Sequence, residues 1–332
     1  MGLTSNIEVI GLGALNIDHI CKVEHILEDG ETVVKESRLF PGGSAANTIY
    51  GLGKLGVSTG FIGAVGNDAE GKLLRQDFQK AGVDTSQIRI KRGAKTGSAL
   101  CLSDKLNFRS IYITPGANSL LTMDDLDLGY INQAEMFHVS SFVDKKQFKV
   151  LLEVMDKLAP SVKVSFSPGA LYAIKGLKTL SPILSRTYLL VLNQDEIRQL
   201  TGQDVNAGAE SCLKQGCHII VVTLGKETKL ELGRGASRRT VSAICYIRDA
   251  KSEYTIEPSK QNIISALDTT GAGDAFATGF LYGLLKGKSL EECGCLGDTV
   301  AQFCISKIGA RQGLPTLTEL AQRSRELYEQ EL

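Results

Sequence analysis

A short segment late in the chain combines two carboxylates with two glycines at the start of an apolar run. It reads Asp268-Thr-Thr-Gly-Ala-Gly-Asp274, and the residues that follow it are typical of a helix. Glycines at a helix start allow several backbone N–H groups to converge, and these donors together with the helix dipole form an anion site. A carboxylate beside a phosphate makes sense if a substrate hydroxyl lies between them. Asp274 could then accept the hydroxyl proton while the oxygen attacks phosphorus.

The same carboxylate has a simpler interpretation. Asp is a favoured N-cap residue, so Asp274 could serve only to cap the helix that follows it. Considered alone, the segment favours neither the cap nor the base, and the remainder of the chain must decide between them.

Further polar and glycine-rich segments occur along the chain in a defined order. They are Asn16-Ile-Asp18, Pro41-Gly-Gly-Ser-Ala-Ala-Asn47 with Gly51, Leu55 and Gly56 after it, Pro115-Gly-Ala-Asn118, Asn193-Gln-Asp-Glu196 and Thr223-Leu-Gly225. Together with Asp268 to Phe276, this set resembles the signatures of the ribokinase family, also called the PfkB-type carbohydrate kinases. The resemblance extends over essentially the whole chain.

The resemblance implies a role for each of these positions. The catalytic base of the family matches Asp274, and its anion hole matches Gly271, Ala272 and Gly273. The positions that hold the acceptor match Asn16, Asp18, Gly42, Gly43, Asn47 and Asn118. The positions at the nucleotide match Asn193, Glu196, Thr223 and Gly225, and Glu196 is expected to reach Mg²⁺ through water. The positions that bind a monovalent cation in many members match Asp268 and Thr270.

The function implied is that of an ATP- and Mg²⁺-dependent kinase, in some members aided by a cation such as K⁺. It would transfer the γ-phosphoryl group to a hydroxyl of a sugar or nucleoside. Ribose-specific members often carry a lysine after Gly42, where this chain has Gly43 and Ser44, which disfavours ribose itself. The acceptor could still be another sugar or a nucleoside, because the lid residues would decide between them. The alternative is a non-catalytic ligand-binding or regulatory protein, because a fold does not fix a function. The intact base and anion hole favour the kinase.

The run Gly51-Leu-Gly-Lys-Leu-Gly56 also matches the dinucleotide-binding pattern G-x-G-x-x-G. That pattern requires a preceding strand, whereas Ala45 to Tyr50 is typical of a helix. A nicotinamide-dependent enzyme is therefore disfavoured. We expect these glycines to let the helix pack closely and then end.

Apolar runs separated by helix-period segments predict the elements that position these residues. Strand-like runs begin near residues 8, 59, 136, 163, 188 and 218, and helical patterns span 69–81, 146–158 and 195–201. This alternation predicts an α/β fold with a doubly wound, mainly parallel sheet flanked by helices, which is the ribokinase-like architecture.

Two regions interrupt the alternation. Residues 16–23 with 31–40, and 97–102 with 109–113, are strand-like and predict two hairpins. We expect a small β lid of residues 15–40 and 96–113 over a large α/β domain of residues 1–14, 41–95 and 114–332. Exposed strand edges favour a homodimer formed through this lid.

The composition and sequence patterns argue against a nucleic-acid or membrane partner, a secreted protein and a membrane-spanning protein. The 332 residues include 37 Lys plus Arg and 37 Asp plus Glu, a balance that favours neither a nucleic-acid nor a membrane partner. The sequence has no signal-peptide pattern and no run long enough to span a membrane. The eight cysteines form no C-x-x-C pair, which predicts reduced and mostly buried thiols. We therefore expect a cytoplasmic protein.

Overall fold

A computed structural model of the protein describes residues 7–106, 109–232, 239–258, 266–330 and 332. The strands, in chain order, are β1 Val9–Leu12, β2 Asn16–Val23, β3 Val34–Gly42, β4 Thr59–Gly66, β5 Ile88–Lys91, β6 Gly97–Ser103, β7 Arg109–Thr114, β8 Met136–Ser140, β9 Lys163–Ser167, β10 Thr187–Asn193, β11 Ile219–Leu232, β12 Arg239–Arg248 and β13 Glu253–Ile256.

The helices cover both faces of the larger sheet. They are α1 Ser44–Lys54, α2 Ala69–Lys80, α3 Leu128–Ile131, α4 Lys145–Lys157, α5 Gly169–Ala173, α6 Gly176–Leu184, α7 Gln194–Thr201, α8 Val205–Lys214, α9 Ala272–Leu285, α10 Leu290–Ile305 and α11 Leu317–Tyr328. Two short 3₁₀ helices, Gly116–Leu120 and Met123–Asp125, lie between β7 and α3.

The larger sheet has nine strands in the order β13-β12-β11-β10-β9-β8-β1-β4-β5. In this sheet order, each neighbouring pair from β11 through β10, β9, β8, β1 and β4 to β5 is parallel. The pairs β11–β12 and β12–β13 are antiparallel. This arrangement confirms the predicted doubly wound, mainly parallel α/β fold.

Alternate side chains of the central strands enter two different apolar layers. In β10, Leu190 and Leu192 pack with residues of α4, α6, α7 and α8, whereas Leu189 and Val191 pack with residues of α1, α9 and α10. Both faces are therefore buried, which explains why the parallel strands are continuous apolar runs in the sequence. Every residue of β4 and of β8 is buried.

The predicted strands near residues 8, 59, 136, 163, 188 and 218 correspond to β1, β4, β8, β9, β10 and β11. The three strands β5, β12 and β13 were not predicted. Two of them have only four residues, and β12 begins and ends on arginine. Strands at or next to a sheet edge are partly solvated, so their apolar patterns are weak.

A second, smaller sheet has four strands in the order β3-β2-β6-β7. The pairs β2–β3 and β6–β7 are antiparallel, as expected for two hairpins, and β2 pairs with β6 in parallel. The two hairpins therefore join into one sheet, separate from the large one. We call this the small sheet.

The G-x-G-x-x-G run begins inside helix α1 and ends just after it, so the residues directly before the run are helical and not a strand. A Cβ atom on Gly51 would lie 2.7 Å from the Thr278 side chain of α9, so this glycine permits close helix packing. Gly56 follows the helix with a positive φ of 83°. The local structure is therefore not a dinucleotide-binding turn, and the nicotinamide alternative loses its only support.

All eight cysteines are buried free thiols, as predicted. Within the described parts of the chain, no helix is both long and apolar enough to cross a lipid bilayer.

Candidate active site

The two glycine-rich segments meet at the carboxyl ends of the parallel strands. Strands β1 and β8 are neighbours there, and the chain builds the sheet outward from them in opposite directions. Ligands of open α/β sheets bind at such a switch point. Helix α1 begins directly above it, because the Ala45 N–H donates to the Ser140 hydroxyl at the end of β8, at 3.1 Å.

Asp274 lies in the first turn of α9 and is bound by side chains of α1. Its carboxylate oxygens accept hydrogen bonds from the Ser44 hydroxyl at 2.7 Å and from the Asn47 amide at 2.8 Å. The N-cap residue of α9 is Gly271, without a side-chain cap. The carboxylate therefore accepts from side chains of α1 and does not cap its own helix. Burial raises the pKa of Asp274 to about 6, although both hydrogen bonds oppose the rise.

The backbone before Asp274 forms a tight turn into α9. Gly271 has a φ of 79°, and a Cβ atom there would lie 2.4 Å from that of Ala310. A Cβ atom on Gly273 would meet open space. The Ala272 N–H donates to the Thr269 carbonyl at 3.2 Å, so this amide is partly engaged by the turn. The N-terminal amides of a helix otherwise have no intrahelical acceptor.

Asp18 lies on β2 of the small sheet and faces the bend at the end of β3. A Cβ atom on Gly42 would lie 2.2 Å from the Asp18 carboxylate, so only glycine permits this approach. Gly43 has a φ of 101°, and its Cβ atom would lie 2.1 Å from the Ala14 carbonyl oxygen. Burial raises the pKa of Asp18 to about 7; Arg311 opposes the rise, and Asp274 and Asp268 add to it.

Asn118 binds the start of β2 through its amide group. The amide oxygen accepts from the Leu15 N–H at 2.9 Å, and the amide nitrogen donates to the Leu15 carbonyl at 3.1 Å and to Asn16 Oδ1 at 2.9 Å. Asn118 therefore fixes Asn16 and its backbone. Both asparagines line a cavity of about 130 Å³ beside α1. Its wall also includes Gly43, Ser44, Ile113, Phe142 and Asp144.

The positions matched to the nucleotide lie on the next strands of the sheet. Asn193 and Thr223 are register partners on β10 and β11. Asn193 caps α7 by accepting from the Glu196 N–H at 2.9 Å, and Glu196 accepts from the Asn193 N–H at 3.0 Å. Burial raises the pKa of Glu196, and the charge of Asp274 contributes to the rise. Gly225 follows Thr223 with a φ of 73°.

Asp268 organises the loop before α9. Its Oδ1 atom accepts from the backbone N–H and hydroxyl of Thr270 at 2.9 and 2.7 Å, and its Oδ2 atom accepts from the Gly309 N–H at 2.9 Å. Among the described residues, no group of three or more His, Cys, Asp or Glu side chains is placed to hold a metal ion.

Two side chains of the site were missed by sequence reasoning. Ser44 lies inside the recognised glycine-rich segment, but a serine there gave no signal of its contact with Asp274. Arg311 lies far along the chain after α10, and its side chain is only 3% exposed. Nothing in the sequence distinguishes a buried arginine from a solvated one, so only the structure could find it.

Comparison with known proteins agrees with this geometry. The chain matches the description "pfkB family carbohydrate kinase" over residues 6–317. It is 38% identical to an uncharacterised sugar kinase of Archaeoglobus fulgidus over 265 residues, which cover 80% of this chain and 98% of the relative. It is 26% identical to a nucleoside kinase of Methanocaldococcus jannaschii, with coverage of 94% and 95%.

Among solved structures, the ribokinase of Thermotoga maritima is similar with a TM-score of 0.78 at 25% identity, covering 96% of this chain and 99% of that one. The fold is therefore ribokinase-like, and the protein is a phosphotransferase that acts on a hydroxyl group. More particularly, the chain belongs to the pfkB family of carbohydrate kinases.

Proposed function

We propose that this protein transfers the γ-phosphoryl group of ATP to a hydroxyl of a sugar or nucleoside, with Asp274 as the base. The observation that carries the proposal is the position of the Asp274 carboxylate. It is partly buried at the start of α9, and the Ser44 hydroxyl and Asn47 amide of α1 donate to it at 2.7 and 2.8 Å. The backbone of Gly271 and Gly273 lies at the same helix start, where an anion is stabilised.

The chemistry requires one proton transfer. The acceptor oxygen forms a bond to the γ-phosphorus while the bond from phosphorus to the ADP oxygen breaks, and Asp274 takes the proton of the hydroxyl. The transition state is loose, so the proton leaves late and a carboxylate suffices as base. A pKa of about 6 makes Asp274 a better base than an exposed Asp, yet leaves it ionised at pH 7 and above.

The acceptor side suits a polyhydroxyl ligand. Asp18 supplies acceptors, Asn47 and Asn16 supply amides, and the backbone at Gly42 and Gly43 is bare; neighbouring hydroxyls need such a mixture of donors and acceptors. The cavity beside it includes apolar groups from Ile113 and Phe142. We propose that the small sheet acts as a lid that excludes water, which would otherwise compete as acceptor.

The residues present fit a nucleotide that brings its own Mg²⁺. Mg²⁺ keeps several waters and is usually held by one or two carboxylates together with substrate phosphates. Glu196 is the carboxylate proposed for the water shell, with Asn193, Thr223 and Gly225 beside the nucleotide. When bound, the ion would neutralise charge on the phosphates. Glu196 itself is oriented for this by its bond to the Asn193 N–H.

We propose a monovalent cation, such as K⁺, at Asp268 and Thr270. Each carboxylate oxygen already accepts loop hydrogen bonds, but carboxylate oxygens have further lone pairs. A cation there would stiffen the turn that presents the anion-site amides. Equal turnover in potassium chloride and in choline chloride would contradict the proposed cation site.

The second candidate, a non-catalytic binding protein on the same fold, predicts ligand binding without ADP formation. The hydrogen bonds that orient Asp274 favour the kinase, because a binding protein has no need of a carboxylate fixed in that position. We also propose a cytoplasmic location and a homodimer formed through the small sheet.

The decisive experiment measures ADP formation over a panel of sugars and nucleosides with Mg²⁺ present. We expect Asp274→Asn to bind ATP normally and to lose turnover by roughly 10²–10⁴-fold, the usual contribution of a general base. For the wild type, turnover should fall as the pH drops through about 6, because protonation removes the base.

The matched control is Asp298→Asn. Asp298 is also a partly buried carboxylate that accepts from two side chains, Tyr328 and Gln302, but it lies in α10, outside the site. It should keep near-normal turnover. Wild-type turnover in Asp274→Asn would exclude the base assignment, and ligand binding without ADP formation by the wild type would favour the second candidate.

A further inference from the structure

Arg311 makes contacts that connect the two halves of the site. Its Nε atom donates to Asn47 Oδ1 at 2.9 Å, and its Nη2 atom donates to the Gly42 carbonyl at 3.2 Å. Its Nη1 atom donates to Asp77 Oδ2 on α2 at 2.7 Å. The planar guanidinium thus binds three separate elements in fixed directions, which a lysine ammonium does not do.

The environment of Arg311 keeps the guanidinium in one orientation. The side chain is 3% exposed, and the guanidinium carbon lies 5.1 Å from the ring centres of both Tyr50 and Phe78. Contacts of a cation with aromatic faces are favourable, more so where water is excluded. Asp77 supplies the counter-charge that a buried cation requires.

The hydrogen bond from Arg311 Nε fixes the orientation of the Asn47 side-chain amide. Arg311 offers a donor and therefore requires the amide oxygen, whereas the Asp274 carboxylate requires the amide nitrogen, 2.8 Å away. The reverse orientation would place two donors together and two acceptors together. Arg311 therefore makes Asn47 a donor towards Asp274, although Arg311 itself forms no bond with Asp274.

The backbone around Arg311 reaches the opposite side of the site. The Gly309 N–H donates to Asp268, and Ala310 packs closely against Gly271 at the turn into α9. The same short segment therefore contacts the phosphoryl side through its backbone and the acceptor side through the Arg311 side chain.

We propose that Arg311 is a positioning residue for phosphoryl transfer, which orients Asn47 towards Asp274 and holds the Gly42 backbone of the acceptor site. This inference rests on the proposed function of Asp274 as the base. The directed N–H groups of the guanidinium fix the positions of Asn47 and of the Gly42 backbone, and its positive charge stabilises the ionised carboxylates around it.

The test compares three variants in the ADP assay. Arg311→Met removes the charge and the fork, Arg311→Lys keeps the charge without the fork, and Asp77→Asn is the matched control that breaks the ion pair but keeps the bonds to Asn47 and Gly42. We expect Arg311→Met to lower kcat about 10²-fold, since small misplacements of reacting groups have effects of that size. The acceptor KM should rise roughly tenfold and the KM for ATP should not change.

The pH profile separates charge from geometry. Asp18, Glu196, Cys304 and Arg311 are the titratable or charged groups that act electrostatically on or with Asp274. The positive charge of Arg311 lowers the pKa of Asp274, so its loss raises that pKa. The acidic limb of kcat should move to higher pH in Arg311→Met and stay in place in Arg311→Lys and Asp77→Asn.

The proposal also predicts a pattern that a merely structural role of Arg311 would not give. Both Arg311→Met and Asp77→Asn should lower the melting temperature, but Asp77→Asn should keep kcat within about threefold of the wild type, since the positioning bonds remain. Adding Arg311→Met to Asn47→Ala should reduce kcat much less than Arg311→Met does alone, because the route through Asn47 is already lost.

Three outcomes would overturn the inference. The first is that Arg311→Met and Asp77→Asn have the same kcat and the same acidic limb of the pH profile. The second is that the effects of Arg311→Met and Asn47→Ala on kcat are fully additive. The third is a wild-type kcat in Arg311→Lys, and this outcome is decisive if Arg311→Met does not fold. A failure of the base assignment is recognised separately, by turnover in Asp274→Asn.

The side-chain amide signal of Asn47 in an NMR spectrum, assigned through Asn47→Ala, tests the contact without turnover. It should shift with the titration of Asp274 in the wild type and in Asp77→Asn and lose this response in Arg311→Met. An unchanged response in Arg311→Met would contradict the inference even if no acceptor had been found.

Discussion

Three carboxylates and one guanidinium share the interior of the site. The pKa of Asp18 is raised mainly by burial and further by the charges of Asp274 and Asp268, while Arg311 alone opposes it with a positive charge. Concentrating like charges destabilises the fold, and this cost is typical of functional sites, where pKa values depart from their usual range. An acceptor with several hydroxyls would supply the donors that these carboxylates need.

At the residue scale, this predicts that Asp18→Asn stabilises the protein while it weakens acceptor binding. The pKa of Asp18 is about 7 in the folded state against an ordinary 3.8, so its ionised form disfavours folding. The penalty is absent below pH 4 and fully present above pH 7. We expect Asp18→Asn to add up to about 4 kcal/mol at pH 8, since the pKa rises from 3.8 to about 7 and each pKa unit corresponds to about 1.4 kcal/mol.

Thermal melts at pH 4.5 and pH 8 check this prediction. The difference in melting temperature between Asp18→Asn and the wild type should grow with pH. The same difference at both values would show that the charge of Asp18 does not oppose folding.

At the scale of elements, helices α1 and α9 position the groups that would do the chemistry. Because residue 51 is glycine, no side chain of α1 separates the helix from Thr278 of α9 at their point of contact. The Thr278 hydroxyl is 2.9 Å from the Asp274 carbonyl and 3.3 Å from that of Thr48, so it lies between the two helices. The helix contact thereby sets the distance from Ser44 and Asn47 to the Asp274 carboxylate.

This contact predicts that Gly51→Ala separates the helices. The added methyl group would lie 2.7 Å from Thr278, and overpacking of this kind costs about 1–3 kcal/mol. Turnover should fall more than acceptor binding, because the carboxylate moves relative to α1. Denaturant unfolding and steady-state kinetics measure the two effects.

The compensating variant Thr278→Ala provides the control. It removes the two atoms nearest to the new methyl group, at 2.7 and 2.8 Å, so the double variant should be less impaired than the sum of the single ones. Additive losses would show that the helix contact is not the cause.

At the scale of the whole molecule, the outward face of the small sheet carries apolar side chains. Leu39, His19, Leu100 and Tyr112 are register partners across all four strands, on the face opposite to Asp18. Leu39, Leu100 and Tyr112 are 59%, 40% and 57% exposed. Exposed apolar side chains on three of the four strands, with only His19 between them, are typical of an interaction surface, and a second copy of the chain would cover it symmetrically.

We therefore predict that Leu100→Glu converts a wild-type dimer to a monomer. The introduced carboxylates would be buried in the proposed interface without partners of opposite charge, which is strongly unfavourable. Sedimentation velocity measures the change, with Leu73→Glu on α2 as the control, because Leu73 is similarly exposed at 48% but lies outside the small sheet. A monomeric wild type, or a Leu100→Glu dimer, would contradict the proposed assembly.

Much of this protein could be predicted from its sequence. The buried strands β1, β4, β8, β9, β10 and β11 are apolar runs because both of their faces are covered, and the glycine-rich segments keep their order because each needs bare backbone at a fixed place. Local pattern therefore determined the fold class and the family resemblance, and it supplied the residues proposed to bind ligands. The sequence could not predict β5, β12 and β13, whose partly solvated patterns are weak.

Only the tertiary structure decided how the side chains meet. Asp274 could be a cap or a base in the sequence, and it is the position of α1 that brings Ser44 and Asn47 to its carboxylate. Arg311 gave no signal at all, because the burial of an arginine depends on partners some 230 to 270 residues away in the chain. Hydrogen bonds between distant segments have no local pattern. The proposed anion site at Asp268 to Asp274 could therefore be predicted from the sequence, whereas the hydrogen bonds that orient the Asp274 carboxylate could not.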